Sequence, residues 1–240
     1  MKIIIAIACL GLLMWVEPAN AQRRPQPQIP FELTVGVHEK ATLGASGVEL
    51  GNRVDEILKR ASKVLRKCNV VLKRKGPVGT VSAPNDAGLI GITFSHPNNP
   101  TEVRKAADER DAVHRENFDI KVVATPFFFC LGPPPDAPPG AERETVMGCS
   151  FDPRPAEEVP QRQSMIVGNK SDLKFTATVW AHEFGHKRGL KHRNEAKALM
   201  NCKVKAENGR INNHECKCIR EGPLVCNETP TRCPSDDNIR

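Results

Sequence analysis

Residues 182–192 read His-Glu-Phe-Gly-His-Lys-Arg-Gly-Leu-Lys-His. His182 and His186 stand four apart, so on a helix both imidazoles leave the same face about one turn apart and reach a common ion. Glu183 lies one residue past the first histidine, where its carboxylate meets a water on that ion without ligating the metal. A third ligand has to come from beyond the helix. Gly189 allows the sharp turn, because glycine takes a positive φ at little cost, and the turn brings His192 back towards the other two. Three neutral histidines leave the fourth position of a tetrahedral zinc open, as in catalytic rather than structural sites. By ordinary residue frequencies the full pattern arises by chance on the order of once in 100,000 chains of this length.

His182, Glu183, His186, Gly189 and His192 fill all five fixed positions of the metzincin zinc-peptidase motif, which the chain therefore resembles. Met200 sits where the Met-turn of that clan falls. The segment Ala198-Leu199-Met200, with its methionine eight residues past His192, is most similar to the matrixin spacing. The residue after the third histidine marks the subfamily, and here Arg193 matches none of the usual patterns, which leaves the subfamily open. The chain has no tyrosine, so the Met-turn tyrosine of astacin-like and serralysin-like members is absent.

The resemblance implies a zincin-like metzincin catalytic domain of α+β or α/β type, with a mixed twisted sheet, a long backing helix and an active-site helix. It implies one catalytic Zn2+ held by His182, His186 and His192, with Met200 as an apolar floor and not a ligand. The implied activity is that of a zinc metalloendopeptidase, with Glu183 as general base and then acid towards a peptide or protein substrate. Scattered aspartates form no recognisable calcium site, so Ca2+ is possible but not indicated.

The flanking sequence sets the context. Lys2, an apolar run from Ile3 to Val16 and then Ala19-Asn20-Ala21 read as a secretory signal peptide over 1–21. The run is shorter than the roughly 20 residues a bilayer needs, and Glu17 and Pro18 end it, so no membrane span is expected. Residues 22–30, rich in Gln and Pro, read as a flexible segment, with neither the length nor the cysteine of a matrixin prodomain. Residues 31–200 read as the catalytic domain and 201–240 as a Cys-rich tail. Beyond Cys9 in the signal peptide, eight cysteines remain: Cys68, Cys130, Cys149, Cys202, Cys216, Cys218, Cys226 and Cys233. In a secreted chain that even count points to disulfides, and no paired C-x-x-C supports a second metal site.

Phe31 to Val37 alternates apolar and polar residues and reads as a first strand. After a capping box at Ser46-Gly47-Val48-Glu49, Val54, Ile57, Leu58, Ala61, Val64, Leu65 and Cys68 recur at helical spacing. The other face of that helix carries Arg53, Lys59, Arg60, Lys63, Arg66 and Lys67, followed by Lys73-Arg74-Lys75. With a net charge of +7, this face could meet an acidic surface or substrate, although a run of this kind is more often a solvated helix face. No aromatic residues interleave with the charges, which argues against a specific nucleic-acid partner. Asn69–Arg74, Leu89–Ser95, Phe118–Val122 and Ser164–Val167 read as further strands, Phe127–Leu131 adds an apolar run, and Thr101–Glu116 reads as an exposed helix or loop. Prolines crowd Gly132–Gln163 and forbid a helix there. Cys130 and Cys149 bracket the densest part and are expected to join.

By the resemblance, Thr145–Phe151 is the candidate for the strand at the rim of the cleft, with a buried strand as the alternative. Ser171 or Asp172 caps the helix that carries the motif, and Leu173, Ala177, Trp180 and Phe184 give it an apolar side. The tail cannot build its own core, so disulfides must hold it, partly to the catalytic domain. His38, His96, His114 and His214 stand alone and are expected at the surface. Asn169-Lys170-Ser171 and Asn227-Glu228-Thr229 are glycosylation sequons if the source is a eukaryote. The expectation is a monomeric extracellular or periplasmic peptidase. A secreted zinc-containing binding or toxin-like protein, acting without proteolysis, is the alternative.

Overall fold

The computed structural model describes residues 27–45, 48–81, 117–124, 148–150 and 165–226. The expected strand at Leu89–Ser95, the apolar run Phe127–Leu131, the Thr101–Glu116 segment, the proline-rich stretch, the Ser46-Gly47 start of the capping box and the Cys130–Cys149 pairing lie outside these residues.

The apolar alternation from Phe31 to Val37 does not give one strand but two. β1 (Ile29–Leu33) pairs in parallel with β3 (Val70–Arg74), and β2 (Val35–His38) joins a second, five-stranded sheet. The break falls at Thr34, whose amide and hydroxyl both donate to Asp119 Oδ2, at 2.9 and 2.8 Å. Tertiary hydrogen bonds thus end the first pairing where periodicity alone runs on. β1 begins at Ile29, while Pro27 and Gln28 before it are exposed.

The larger sheet has the order β4 (Gly79–Val81), β2, β5 (Ile120–Val123), β7 (Met165–Gly168), β6 (Gly148–Ser150). All neighbours are parallel except β6, which runs antiparallel to β7. The inner strands β2, β5 and β7 are buried at every position, as strands covered on both faces must be. His38 closes β2 and is buried with it, contrary to the surface position expected; its Nδ1 accepts from the Lys40 amide. His214 is exposed, as expected.

α1 (Val48–Val64) is continued by a 3-10 turn, Leu65–Cys68, and presents Val54, Ile57, Leu58, Ala61, Leu65 and Cys68 to the core. It packs against β3 and against α2 (Leu173–Lys187). Much of its basic face is engaged within the molecule. Lys59 and Arg60 pair with Glu56, Arg74 forks onto both oxygens of Asp55, Arg53 donates to the Leu43 and Ser171 carbonyls, and Lys67 donates to the Ile211 carbonyl.

α2 starts at Asp172, which caps it by accepting from the Phe175 amide. The expected apolar stripe understates its burial, because every residue from Thr176 to Gly185 is buried. α1 covers one side of α2 while β6 and β7 cover another, so the helix lies inside the molecule. Thr176 and Thr178 satisfy their hydroxyls on the helix's own carbonyls at Asp172 and Lys174, which lets polar side chains sit there.

The last described segment adds a helix, α3 (Asn213–Glu221), and a 3-10 turn, Pro223–Val225. Ile211, Cys216, Cys218 and Ile219 belong to the same buried cluster as α1 and α2. Disulfides join Cys68 to Cys216 and Cys218 to Cys226.

Candidate metal centre

The three histidines meet. His182 and His186 project from adjacent turns of α2, and their Nε2 atoms lie 3.1 Å apart. The helix ends at Lys187, Gly189 turns at φ +89°, and the chain returns to place His192 Nε2 3.1 Å from His186 Nε2 and 3.3 Å from His182 Nε2. No other cluster of metal-ligating side chains occurs among the described residues.

This arrangement fits a zinc ion. Ligands 2.0–2.1 Å from a tetrahedral zinc stand roughly 3.3 Å from one another. The other ring nitrogens add a chemical argument: His182 Nδ1 lies 2.7 Å from the Leu199 carbonyl, and His186 Nδ1 2.8 Å from the Leu190 carbonyl. A carbonyl only accepts, so each Nδ1 carries the proton and each Nε2 of a neutral ring presents a lone pair. Lone pairs crowded together at 3.1 Å repel unless a cation lies among them. Burial and the neighbouring imidazoles push the pKa of His182 well below its ordinary value, against the pull of the Leu199 carbonyl. Burial and His192 hold His186 down at about 4. Both rings are therefore neutral near pH 7, the state a metal ligand needs.

Glu183 is 4% exposed. Burial pushes its pKa up to about 8, with the Ser150 hydroxyl pulling the other way. Ser150 Oγ lies 3.0 Å from Glu183 Oε2 and 2.8 Å from the Glu183 carbonyl oxygen, so the edge strand β6 is fastened to the helix at this residue. Gly148, two residues earlier on the same strand, leaves the space the carboxylate occupies: a Cβ there would fall 2.6 Å from both Cδ and Cγ of Glu183. β6 lies within the expected rim segment Thr145–Phe151 and forms the edge of the sheet among the described residues. Gly148 and Ser150 were not legible as site residues. Their signal is a small-x-small alternation on a short strand, which is too common to single out.

Met200 is fully buried and lies against α2 at Gly185, between the two ligand positions; a Cβ on Gly185 would meet Met200 Sδ at 2.5 Å. The turn around it holds two of the histidines, because the Leu199 carbonyl orients His182 and the Met200 carbonyl accepts from the amide of Arg193, next to His192, at 2.9 Å.

A buried helix, an edge strand beside its glutamate and three converging histidines over a methionine turn make up a metzincin-type fold and site. The sequence profile of the matrixin family matches residues 92–221, a span that includes every one of these site residues. The chain belongs to the matrixin family. No curated protein sequence matches it. Among solved structures it is similar to metalloproteinase-II from Bacteroides fragilis, at 11% identity and a TM-score of 0.36, over 84% of this chain. The chain spans 58% of the length of that structure.

Proposed function

We propose that the protein is a secreted zinc-dependent endopeptidase in which His182, His186 and His192 hold the metal and Glu183 moves the protons. The observation that carries the reading is the buried carboxylate of Glu183, held by Ser150 on an edge strand and adjacent in sequence to a histidine of the triad. The chemistry a zinc ion supplies in such a site is Lewis-acid polarisation of the scissile carbonyl and acidification of the attacking water.

The residues of the chain do the rest. β6, the edge of the sheet among the described residues, offers backbone groups for an extended peptide to add as a further strand. Glu183 takes a proton from the attacking water as the new C–O bond forms, then delivers it to the leaving nitrogen as the C–N bond breaks. The carboxyl group must stay in place between the two halves of that transfer. Ser150 and the space at Gly148 keep it there. The apolar run at the N-terminus, ended by Ala19-Asn20-Ala21, supports export.

The test is Glu183→Gln in the mature protein, assayed on a peptide library with and without a chelator. Wild-type protein should cleave only when metal is present. The variant should retain one zinc per chain and lose cleavage by roughly 10²–10⁴-fold, the range for a general acid–base group. Full cleavage by the variant would remove Glu183 from the mechanism, and a biological effect that survives in it would favour a non-proteolytic role.

A further inference from the structure

The loop that delivers the third histidine is held from outside. Two arginines flank it, Arg188 at the end of α2 and Arg193 directly after His192, and both reach α3. Arg188 Nε donates to the Ile219 carbonyl at 2.8 Å and its Nη2 to the Arg220 carbonyl at 3.1 Å. A cation on the last carbonyls of a helix is the arrangement its dipole favours. The same guanidinium lies 5.0 Å over the ring of Phe31, which itself meets Phe184 edge-on, so Arg188 has little freedom to leave.

Arg193 engages the opposite end of α3. Its Nε lies 2.8 Å from Oε1 of Glu215, a carboxylate only 1% exposed, and its Nη2 donates to the Arg210 carbonyl at 3.0 Å. The Nε contact is a charge pair rather than an aligned hydrogen bond. Oε2 of Glu215 accepts from the Asn212 amide at 2.6 Å and closes the capping box that starts α3. Between the arginines, the turn itself is in contact: a Cβ on Gly189 would meet Pro223 Cα at 2.8 Å and Cys226 Cβ at 3.2 Å. Pro223 and Cys226 are held in turn by the Cys218–Cys226 disulfide, and α3 is tied to the end of α1 by Cys68–Cys216.

We propose that the cysteine-rich segment 210–226 is a brace for the third metal ligand, acting through Arg188, Arg193 and the Pro223 contact to keep His192 in reach of the other two histidines. His182 and His186 sit on a buried helix and need no such help. His192 stands on a short loop three residues past Gly189, held on one side by the bond from the Arg193 amide to the Met200 carbonyl and on the other by what lies behind it. Arg188, Arg193 and Glu215 are positioning residues in this scheme. The inference rests on the zinc reading of the histidine triad and gives the tail a role in holding the metal.

The experiment measures zinc release from the loaded full-length mature protein into excess chromogenic chelator. The variants are Arg193→Met, Arg193→Lys, Arg188→Met and the pair Cys218→Ala/Cys226→Ala. Val81→Ala, a core truncation on the far edge strand β4, serves as the control for general destabilisation. Groups that orient ligands typically change metal affinity by about 10–100-fold when removed. Arg193→Met, Arg188→Met and the cysteine pair should therefore release zinc about tenfold faster or more. Arg193→Lys, which keeps a charge near Glu215, should fall between Arg193→Met and wild type, and Val81→Ala should match wild type. Release within twofold of wild type by whichever of the three brace variants remain folded overturns the brace, as does equal acceleration by Val81→Ala. Wild-type protein that binds no zinc overturns the zinc reading and the brace with it.

Discussion

Gly148→Ala is the substitution that best separates the fold of this protein from its chemistry. The added Cβ would stand 2.6 Å from Cδ and Cγ of Glu183, where ordinary carbon contacts begin near 3.4 Å, so the carboxyl group has to retreat by about 1 Å. The cost to folding is small. Gly148 does not occupy the positive-φ region, so alanine suits the backbone and lowers the entropy of the unfolded chain by about 0.4–1 kcal/mol. Turning Glu183 partly off its rotamer costs about 0.5–1.5 kcal/mol, which nearly cancels that gain. A 1 Å displacement of a reacting group, by contrast, costs on the order of 100-fold in rate, equivalent to about 2.7 kcal/mol of activation free energy. The assay compares kcat/KM on a peptide taken from the library screen with zinc content and thermal midpoint. The expected result is a loss of about 100-fold in kcat/KM with one zinc bound and stability within about 1 kcal/mol. A variant that keeps stoichiometric zinc and more than a third of wild-type kcat/KM would refute the claim that β6 holds Glu183 in place for the proposed proton transfer.

Ser150→Ala removes the hydroxyl bonded to the same carboxylate and should lower kcat by about tenfold, near 1.4 kcal/mol. Combined with Gly148→Ala it should add less than the sum of the two, since both act on Glu183, and a fully additive cycle would contradict this. Replacing Cys68 and Cys216 together by alanine opens a cross-link spanning 148 residues. Chain entropy puts its worth at up to about 5 kcal/mol; with Cys202, inside that span, also cross-linked, urea denaturation should show a loss of about 2–5 kcal/mol. Asp119 supplies the pH test. Burial raises its pKa, but Lys187, 2.7 Å away, and the two bonds from Thr34 outweigh this and hold it below the ordinary value. The depressed value means that its contribution is complete above the unfolded pKa near 4 and is lost as the pH falls through the folded one. Asp119→Asn should therefore cost about 1–2 kcal/mol at pH 7 and progressively less below pH 4, with the gap closing in denaturant titrations at low pH. A constant gap down to pH 2 would show that charge is not its source.

Several features of the site were legible because they depend on neighbours in sequence. Four-residue spacing puts His182 and His186 on one helical face whatever surrounds them, and Gly189 permits the turn that His192 needs. The α1 face from Val54 to Cys68 was readable for the same reason, through the period of the helix. The C-terminal helix was missed although Asn212 and Glu215 spell its capping box, because the charged, cysteine-rich composition around them resembles an unstructured tail. Only Ile211, Cys216, Cys218 and Ile219, buried in the same core cluster as residues of α1 and α2, distinguish it from one.

The amino-acid sequence by itself determined which three histidines can meet, their order and the helix that carries two of them, since backbone geometry over three to ten residues is set by local torsions and spacing. The tertiary structure decided what surrounds that set. It brought Ser150 to Glu183 across 33 residues, ended β1 at Thr34 through Asp119 across 85, and set Arg188 and Arg193 against α3. Such contacts leave no periodic mark in the chain, because they depend on which surfaces meet when the core closes.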